Sequence, residues 1–303
     1  TRLGITIKIF KNFTSNEYIQ NDVSTTGIGG FDGVHQGHQQ LMKSANKFAK
    51  DYQVVTFDTL PKLYFNSKHK LLTTNEDKTK LIQNFNPVNL VFINFDHVVK
   101  YSPKEFCNML EINLKTKNIF VGSDFKFGLN REGDVDYLIK HFGNDSIHII
   151  DDYQYKDNKV SSTLIKSYLA EGKVELANES LGYKYSFTGN VIKGEQKGTL
   201  IGFPTANLEV NNNIQIPKIG VYEVDVNINN LNYAGIMNIG YKPTLSEDKK
   251  LSLEVHIFNF NNDIYNTGLT VNFKSFIRDE KKFNNVDELI QQINKDIDKI
   301  NKN

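Results

Sequence analysis

Tyr222-Glu223-Val224-Asp225-Val226-Asn227-Ile228-Asn229 alternates apolar and polar side chains without a break. Successive side chains on a strand point to opposite faces, so this stretch reads as a strand with one face in a core and one in water. Leu251, Leu253, Val255 and Ile257 alternate with Ser252, Glu254 and His256, and Val271 and Phe273 alternate with Thr270, Asn272 and Lys274. Period-two runs separated by turn residues predict antiparallel strands in a sandwich or barrel. Downstream, Val286, Leu289, Ile290, Ile293, Ile297 and Ile300 recur at helical spacing, which predicts a closing helix whose apolar stripe packs on that barrel.

Upstream of Leu181-Gly182 the pattern is different. Val54 to Phe57, Val88 to Phe95, Asn118 to Gly122 and Ser146 to Ile150 are short apolar or β-branched runs. Helical stretches near 75–84, 103–112 and 133–141 alternate with them, with Ser102 as N-cap and Pro103 in the first turn of the middle one. Alternation of this kind predicts a parallel α/β sheet whose ligands lie beyond the carboxyl ends of the strands. Residues 3–13 are read as an extra strand. The expected domains are 1–182, Rossmann-like, and 183–303, a small antiparallel β unit with a C-terminal helix.

The 303 residues carry a formal net charge of +1. Near-neutrality argues against a nucleic-acid binder, which usually shows a basic excess. No apolar run approaches a membrane span, and no secretory pattern opens the chain. Cys107 is the single cysteine, so no intramolecular disulfide or cysteine-built zinc site forms. A reducing cytoplasm is the expected compartment.

Two stretches look built for phosphate. In Gly29-Gly30-Phe31-Asp32-Gly33-Val34-His35-Gln36-Gly37-His38, two imidazoles stand three residues apart ahead of a helix expected over Gln39 to Lys50. A helix N-terminus favours an anion, and the glycines allow close backbone approach. Gly122-Ser123-Asp124-Phe125-Lys126-Phe127-Gly128 follows a strand, where ligand loops of α/β sheets belong. Ser161-Ser162-Thr163 opens a helix with Lys166 one turn in. Either a simple N-cap or a phosphate cradle suits those hydroxyls.

The second phosphate stretch is Gly198-Thr199-Leu200-Ile201-Gly202-Phe203-Pro204-Thr205-Ala206-Asn207. Phe203 to Asn207 is a rigid turn presenting a hydroxyl and an amide oxygen, ligand types that suit Mg²⁺ shared with nucleotide phosphates. Gly189, Gly194, Gly198 and Gly202 form either a plain glycine-rich hairpin or a loop over those phosphates. Glu254 is either a solvated strand carboxylate or, if its face lines a cleft, a base.

Taken in order, Gly-Phe-Asp-Gly-Val-His-x-Gly-His, Gly-x-Asp-Phe-x-Phe-Gly and Ser-Ser-Thr-x-Ile-Lys resemble the adenylyltransferase module of bacterial bifunctional riboflavin kinase/FAD synthetases. Gly198 to Asn207, Gly220-Val221-Tyr222, Asn238 to Thr244, Leu253 to Phe260 and Arg278-Asp279-Glu280 resemble the kinase module of the same family, in the same order. The resemblance covers nearly the whole chain. It implies a nucleotidyltransferase domain followed by a six-stranded antiparallel barrel, and an enzyme that converts riboflavin to FMN and FMN to FAD with ATP and Mg²⁺. In the first module it implies that His35 and His38 meet the ATP phosphates. Gly29, Phe31, Asp32, Gly37 and Asp124 shape the nucleotide pocket, and Ser162, Thr163 and Lys166 hold the departing phosphates. Phe125 and Phe127 lie on the flavin side. In the second it implies that Thr205 and Asn207 hold Mg²⁺ with ATP, that Gly194, Gly198 and Gly202 lie along the nucleotide, that Glu254 is the base, and that Arg278 and Glu280 face the flavin.

The implied partners are small molecules (riboflavin, FMN, FAD, ATP, ADP and pyrophosphate), with no nucleic acid or membrane, and weak self-association is left open. Three positions depart from the family pattern in the first module. Lys166 stands for a usual Arg, Thr59-Leu60-Pro61 for Pro-His-Pro, and Gly30 for a larger residue. Thr199 for Arg and Asn266 for Gly depart in the second. Lys166 and Thr59-Leu60-Pro61 set one alternative beside the bifunctional reading, a riboflavin kinase with a weakened or inactive adenylyltransferase module, and a non-catalytic flavin-sensing regulator is a second, from a different class.

Overall fold

The computed structural model describes residues 7–194, 198, 201–241 and 251–301. Thr199-Leu200 and Lys242-Pro243-Thr244, both within the motifs above, lie outside the described residues. Two compact units divide between Ser162 and Thr163. The division precedes the change of hydrophobic period near 182 because two helices ahead of that change pack with the barrel.

The first unit is a six-stranded sheet of β1 (Lys8–Phe13), β2 (Thr25–Ile28), β3 (Tyr52–Phe57), β4 (Asn89–Ile93), β5 (Asn118–Gly122) and β6 (Ile147–Ile150). The order is β1-β4-β3-β2-β5-β6, and every pairing is parallel. A two-stranded hairpin, β7 (Gln154–Tyr155) and β8 (Asn158–Lys159), follows.

Helices cover both faces of the sheet. They are α1 (Gln36–Phe48), α2 (Pro61–Phe65), α3 (Asn75–Gln83), α4 (Phe95–Val98), α5 (Pro103–Asn108) and α6 (Val135–Phe142). Parallel strands buried on both sides split their side chains between two cores. Tyr52, Val54, Leu90, Phe92 and Phe120 pack with Leu41, Met42, Ala45 and Ile82 of α1 and α3. Val55, Phe57, Val91, Ile93, Ile119 and Val121 pack with Phe106, Cys107, Leu110 and Leu138 on the other face. Ser102 caps α5 in a reciprocal box with Glu105. The helix expected to 112 changes to a π turn over Met109–Asn113.

The second unit opens with α7 (Ser162–Ala170, of which Thr163 onward belongs to this unit) and α8 (Val174–Leu181). Asn178 ties α8 to the barrel, its amide donating to the Phe273 carbonyl at 2.9 Å and accepting from the Tyr185 amide at 2.6 Å. The barrel is β9 (Ser186–Ile192), β10 (Ala206–Val210), β11 (Gly220–Ile228), β12 (Leu231–Tyr241), β13 (Leu251–Ile257) and β14 (Gly268–Arg278). It closes in the order β10-β13-β12-β11-β14-β9, wholly antiparallel.

Tyr222, Val224, Val226 and Ile228 are all buried, as the alternation requires. Glu223, on the other parity, is buried too, because Lys274 and Ser275 of β14 both bond its carboxylate. The closing helix α9 (Val286–Asn301) is amphipathic as expected, though its stripe is shallow. Leu289, Ile290, Ile293, Ile297 and Ile300 are half-buried, Val286 is exposed, and among the described residues the one buried on α9 is Asp296.

Candidate functional site

In the first unit β2 has β3 on one side and β5 on the other, so the strand order reverses there. A crevice forms at such a switch point beyond the carboxyl ends of the strands. The loop leaving β2 carries Gly29 to His35, and the loop leaving β5 carries Asp124 to Phe127. The backbone of the β2 loop is strained: Phe31, Gly33 and Val34 have φ of 49°, 79° and 38°. Left-handed backbone costs a bulky or β-branched residue about 1–3 kcal/mol and persists only where surroundings over-determine it. Here they do. Gly33 N donates to Thr73 Oγ1 at 3.1 Å, Leu72 N to Asp32 Oδ1 at 2.7 Å, and Lys78 Nζ to the Gly30 carbonyl at 3.1 Å. Ser162 Oγ donates to the Asp32 carbonyl at 2.8 Å, which joins the Ser-Ser-Thr segment to this loop.

The expected helix begins earlier than Gln39, at Gln36, with His35 as its extended N-cap residue. The rings of His35 and His38 stack with centroids 3.7 Å apart. A Cβ on Gly37 would stand 3.3 Å from the His35 ring, so this glycine gives the ring its room. Both Nδ1 atoms are buried without a hydrogen-bond partner among the described residues. Burial holds His35 down at about 4, against the pull of Asp32 and Asp124. Burial, then the neighbouring His35 and Lys78, hold His38 well below the usual imidazole range. Near neutral pH the pair is two uncharged rings, suited to hydrogen bonding with phosphate oxygens.

Asp124 is largely exposed and meets Lys159 Nζ at 3.5 Å, while Lys159 also pairs with Asp152 at 2.8 Å. Lys159 is a cation of this cluster that motif reading passed over. Its only sequence signal is its place two residues ahead of Ser161. Thr163 is exposed and Lys166 half-buried on the first turns of α7. Phe125 and Phe127 stack at 5.6 Å. Phe127 is buried against Phe106, and Gly133 lies so close that a side chain there would overlap its ring. Phe127 therefore anchors the loop in the core, while Phe125 stays half-exposed. A second aromatic group follows β3: Tyr64 and Phe65, 40% and 73% exposed, meet Phe95 edge to face. They ride on the helix that Pro61 begins. Gly30 is conformationally ordinary, and a Cβ there would make normal contact with Leu60.

In the second unit, Asn207 of β10 lies in register with Glu254 of β13. Thr205 Oγ1 is 3.5 Å from Glu254 Oε2, and Ser252 Oγ donates to Glu254 Oε1 at 2.8 Å. Gly194 abuts the Asn207 amide, where any side chain would overlap it, and Gly198 receives the Phe203 amide at 2.9 Å and faces the Thr205 hydroxyl. Gly202, at φ 86°, turns the chain between them. His256 Nδ1 bonds the Pro204 carbonyl at 2.7 Å, which fixes the turn carrying Thr205. Ser252 and His256, side chains of one strand face with Glu254, support this cluster. Glu280 lies beside Gly240. Arg278 points to α9, bonding Asp296.

The chain matches the family described as riboflavin kinase over residues 181–303 and the family described as FAD synthetase over residues 17–164. A bifunctional riboflavin kinase/FMN adenylyltransferase of Listeria monocytogenes is 36% identical, over 96% of this chain and 95% of its own. Proteins of the same description from Bacillus subtilis and Buchnera aphidicola are 36% and 38% identical over 90% and 93% of this chain, and 90% and 94% of their own. A crystal structure described as a macrolide-efflux protein from Streptococcus pneumoniae superposes with a TM-score of 0.86 at 28% identity, covering 96% of this chain and 98% of that one. Among the described residues, no helix is long and apolar enough to cross a membrane.

Proposed function

The chain belongs to the bifunctional riboflavin kinase/FMN adenylyltransferase family, and from that premise and the two sites we infer that it makes FAD from riboflavin by way of FMN. It is a transferase of phosphorus-containing groups twice over, with ATP as donor in both steps. The observation that carries the residue assignment is the convergence of Thr205, Asn207 and Glu254 where β10 enters the closed barrel beside β13.

For phosphorylation, we assign Glu254 as the base. The ribityl 5′-hydroxyl of riboflavin attacks the γ-phosphorus of ATP, the bond to the β-phosphate oxygen breaks, and ADP leaves. A carboxylate is a weak base toward an alcohol, so the proton passes to Glu254 as the O–P bond forms. Ser252 fixes one carboxylate oxygen and leaves Oε2 directed at the Thr205 side. The donor set around it consists of oxygens, one anionic and two neutral, which suits a hard dication. Among the described residues no three His, Cys, Asp or Glu gather to hold a metal alone. Thr205 and Asn207 would therefore hold Mg²⁺ together with the phosphates of ATP. When bound, the ion neutralises charge on those phosphates. Gly194, Gly198 and Gly202 lie along the nucleotide, and Arg278 and Glu280 belong to the flavin side.

For adenylyl transfer, an FMN phosphate oxygen attacks the α-phosphorus of ATP in line and pyrophosphate leaves. No covalent enzyme intermediate is needed, so the protein positions the reactants and stabilises charge. His35 and His38 offer neutral donors, and Ser162, Thr163, Lys166 and Lys159 hold the departing phosphates. Gly29, Phe31, Asp32, Gly37 and Asp124 form the nucleotide wall. Phe125, with Phe127 behind it, faces the flavin. A reducing cytoplasm suits the protein's one thiol, Cys107, which is buried and pushed up to about 12 by that burial.

The test is incubation with riboflavin, ATP and Mg²⁺ followed by chromatographic separation of flavins. Both FMN and FAD are expected, and absence of both overturns the assignment. Lys166 and Thr59-Leu60-Pro61 favour a second reading, a kinase with a weakened adenylyltransferase. FMN accumulating without FAD selects it.

A further inference from the structure

Lys78, on α3, is 1% exposed. Lysine is almost never buried so completely unless it is paired, because an ammonium is costly to take out of water. Its hydrogen bond goes to a backbone carbonyl, that of Gly30, at 3.1 Å. Asp32 and Asp58 are near enough to favour its charge, His38 is near enough to feel it, and the Phe92 ring lies 5.9 Å away. Thr56 Oγ1 already donates to the same carbonyl at 3.2 Å. A merely structural need at Gly30 would therefore be met without a buried charge.

The position explains why the charge is kept. The segment from Leu72 to Lys78 braces the β2 loop at three places: Leu72 N on the Asp32 carboxylate, Thr73 Oγ1 under Gly33 N, and Lys78 under Gly30. Those are the residues around the strained turn of Phe31 to Val34, from which His35 and His38 project. A charge-assisted bond is stronger than a neutral one. A cation behind the loop also adds positive potential where a phosphate arrives.

We propose that Lys78 is a positioning residue for adenylyl transfer, holding the Gly30 carbonyl and with it the turn that presents the two histidines. The proposal rests on assigning FAD formation to the first unit. The full-length protein, K78M and K78R are compared for FAD formation from supplied FMN, ATP and Mg²⁺, with FMN formation from riboflavin and thermal melting measured alongside. Methionine fills the space while removing the charge and the donor. Thr56 still serves the Gly30 carbonyl, so K78M should remain folded, at some cost in melting temperature because Asp32 and Asp58 lose a nearby cation. Its kcat for FAD should nevertheless fall roughly 10- to 100-fold, with KM for ATP little changed. K78R should recover part of that loss, and FMN formation should be unchanged in both.

A folded K78M whose kcat stays within about twofold of the parent overturns the proposal. So does a loss seen only where the variant is partly unfolded. If K78M does not fold, Lys78→Gln, which keeps an N–H donor and removes the charge, takes its place: kcat for FAD should fall in the same sense, and an unchanged value in the folded variant overturns the proposal. Failure of the parent to make FAD sinks the assignment of the unit instead.

Discussion

Nε and Nη2 of Arg278 both meet one oxygen of Asp296, at 2.9 and 2.8 Å. Gln292 Nε2 donates to the other oxygen at 2.8 Å. The terminal helix thus docks through a buried carboxylate while its apolar stripe stays half-exposed. Removing one partner of a buried pair leaves an uncompensated charge, at a cost of about 3–5 kcal/mol. Arg278 retains some exposure, so Asp296→Ala should cost nearer 3 kcal/mol by the same reasoning. The urea midpoint of the kinase unit should fall with its slope unchanged. If Arg278 also meets the flavin, as proposed, KM for riboflavin should rise as well. An unchanged midpoint would show that the pair does not hold the helix.

His256 bonds the Pro204 carbonyl through Nδ1. The Asn amide nitrogen takes nearly the place of Nδ1, and the Gln amide that of Nε2. His256→Asn should therefore keep most FMN formation, while His256→Gln should lose about tenfold, the worth of one misplaced hydrogen bond of about 1.4 kcal/mol. The loss should appear also as weaker binding of Mg-ADP by calorimetry. If the two variants behave alike, the Pro204 contact is not what places Thr205.

How much of this was legible beforehand differs between elements. The barrel announced itself because each strand keeps one face in the core, so period two survives in Tyr222 to Ile228. The parallel sheet was legible more coarsely, since strands buried on both faces carry no alternation. Histidine spacing and the Thr205-Asn207 pair are local in sequence and so could be read. Lys78, Lys159 and Ser252 act across the fold, and nothing beside them in the chain marks them. Asp296 was hidden for another reason: a carboxylate within an apolar stripe looks solvated until its arginine is found.

His35 and His38 lie in the first unit and Glu254 in the second, so the two chemistries should separate by mutation. Glu254→Gln should lower FMN formation by about 10²- to 10⁴-fold, the usual contribution of a general base. FAD formation from supplied FMN should persist. His38→Ala should lower FAD formation by at least about 10²-fold, as for loss of a transition-state hydrogen-bond donor, and spare FMN formation. Chromatography of flavins after each single-step reaction decides. Equal loss of both activities in either variant would contradict two independent sites.

The paired histidines give the first unit a pH signature with a definite sign. Folded His35 titrates at about 4 and His38 well below its usual value, while in the unfolded chain both bind protons near pH 6.5. Between these limits the unfolded state holds more protons, so stability rises with pH through the window and levels off above about 6.5. His35 alone should contribute up to about 3 kcal/mol across that window. Denaturation midpoints of the first unit should therefore be higher at pH 7 than at pH 5, and the difference should shrink in His35→Gln. A parent whose midpoint falls between pH 5 and 7, or a difference untouched by His35→Gln, would show that the stacked rings are not held neutral.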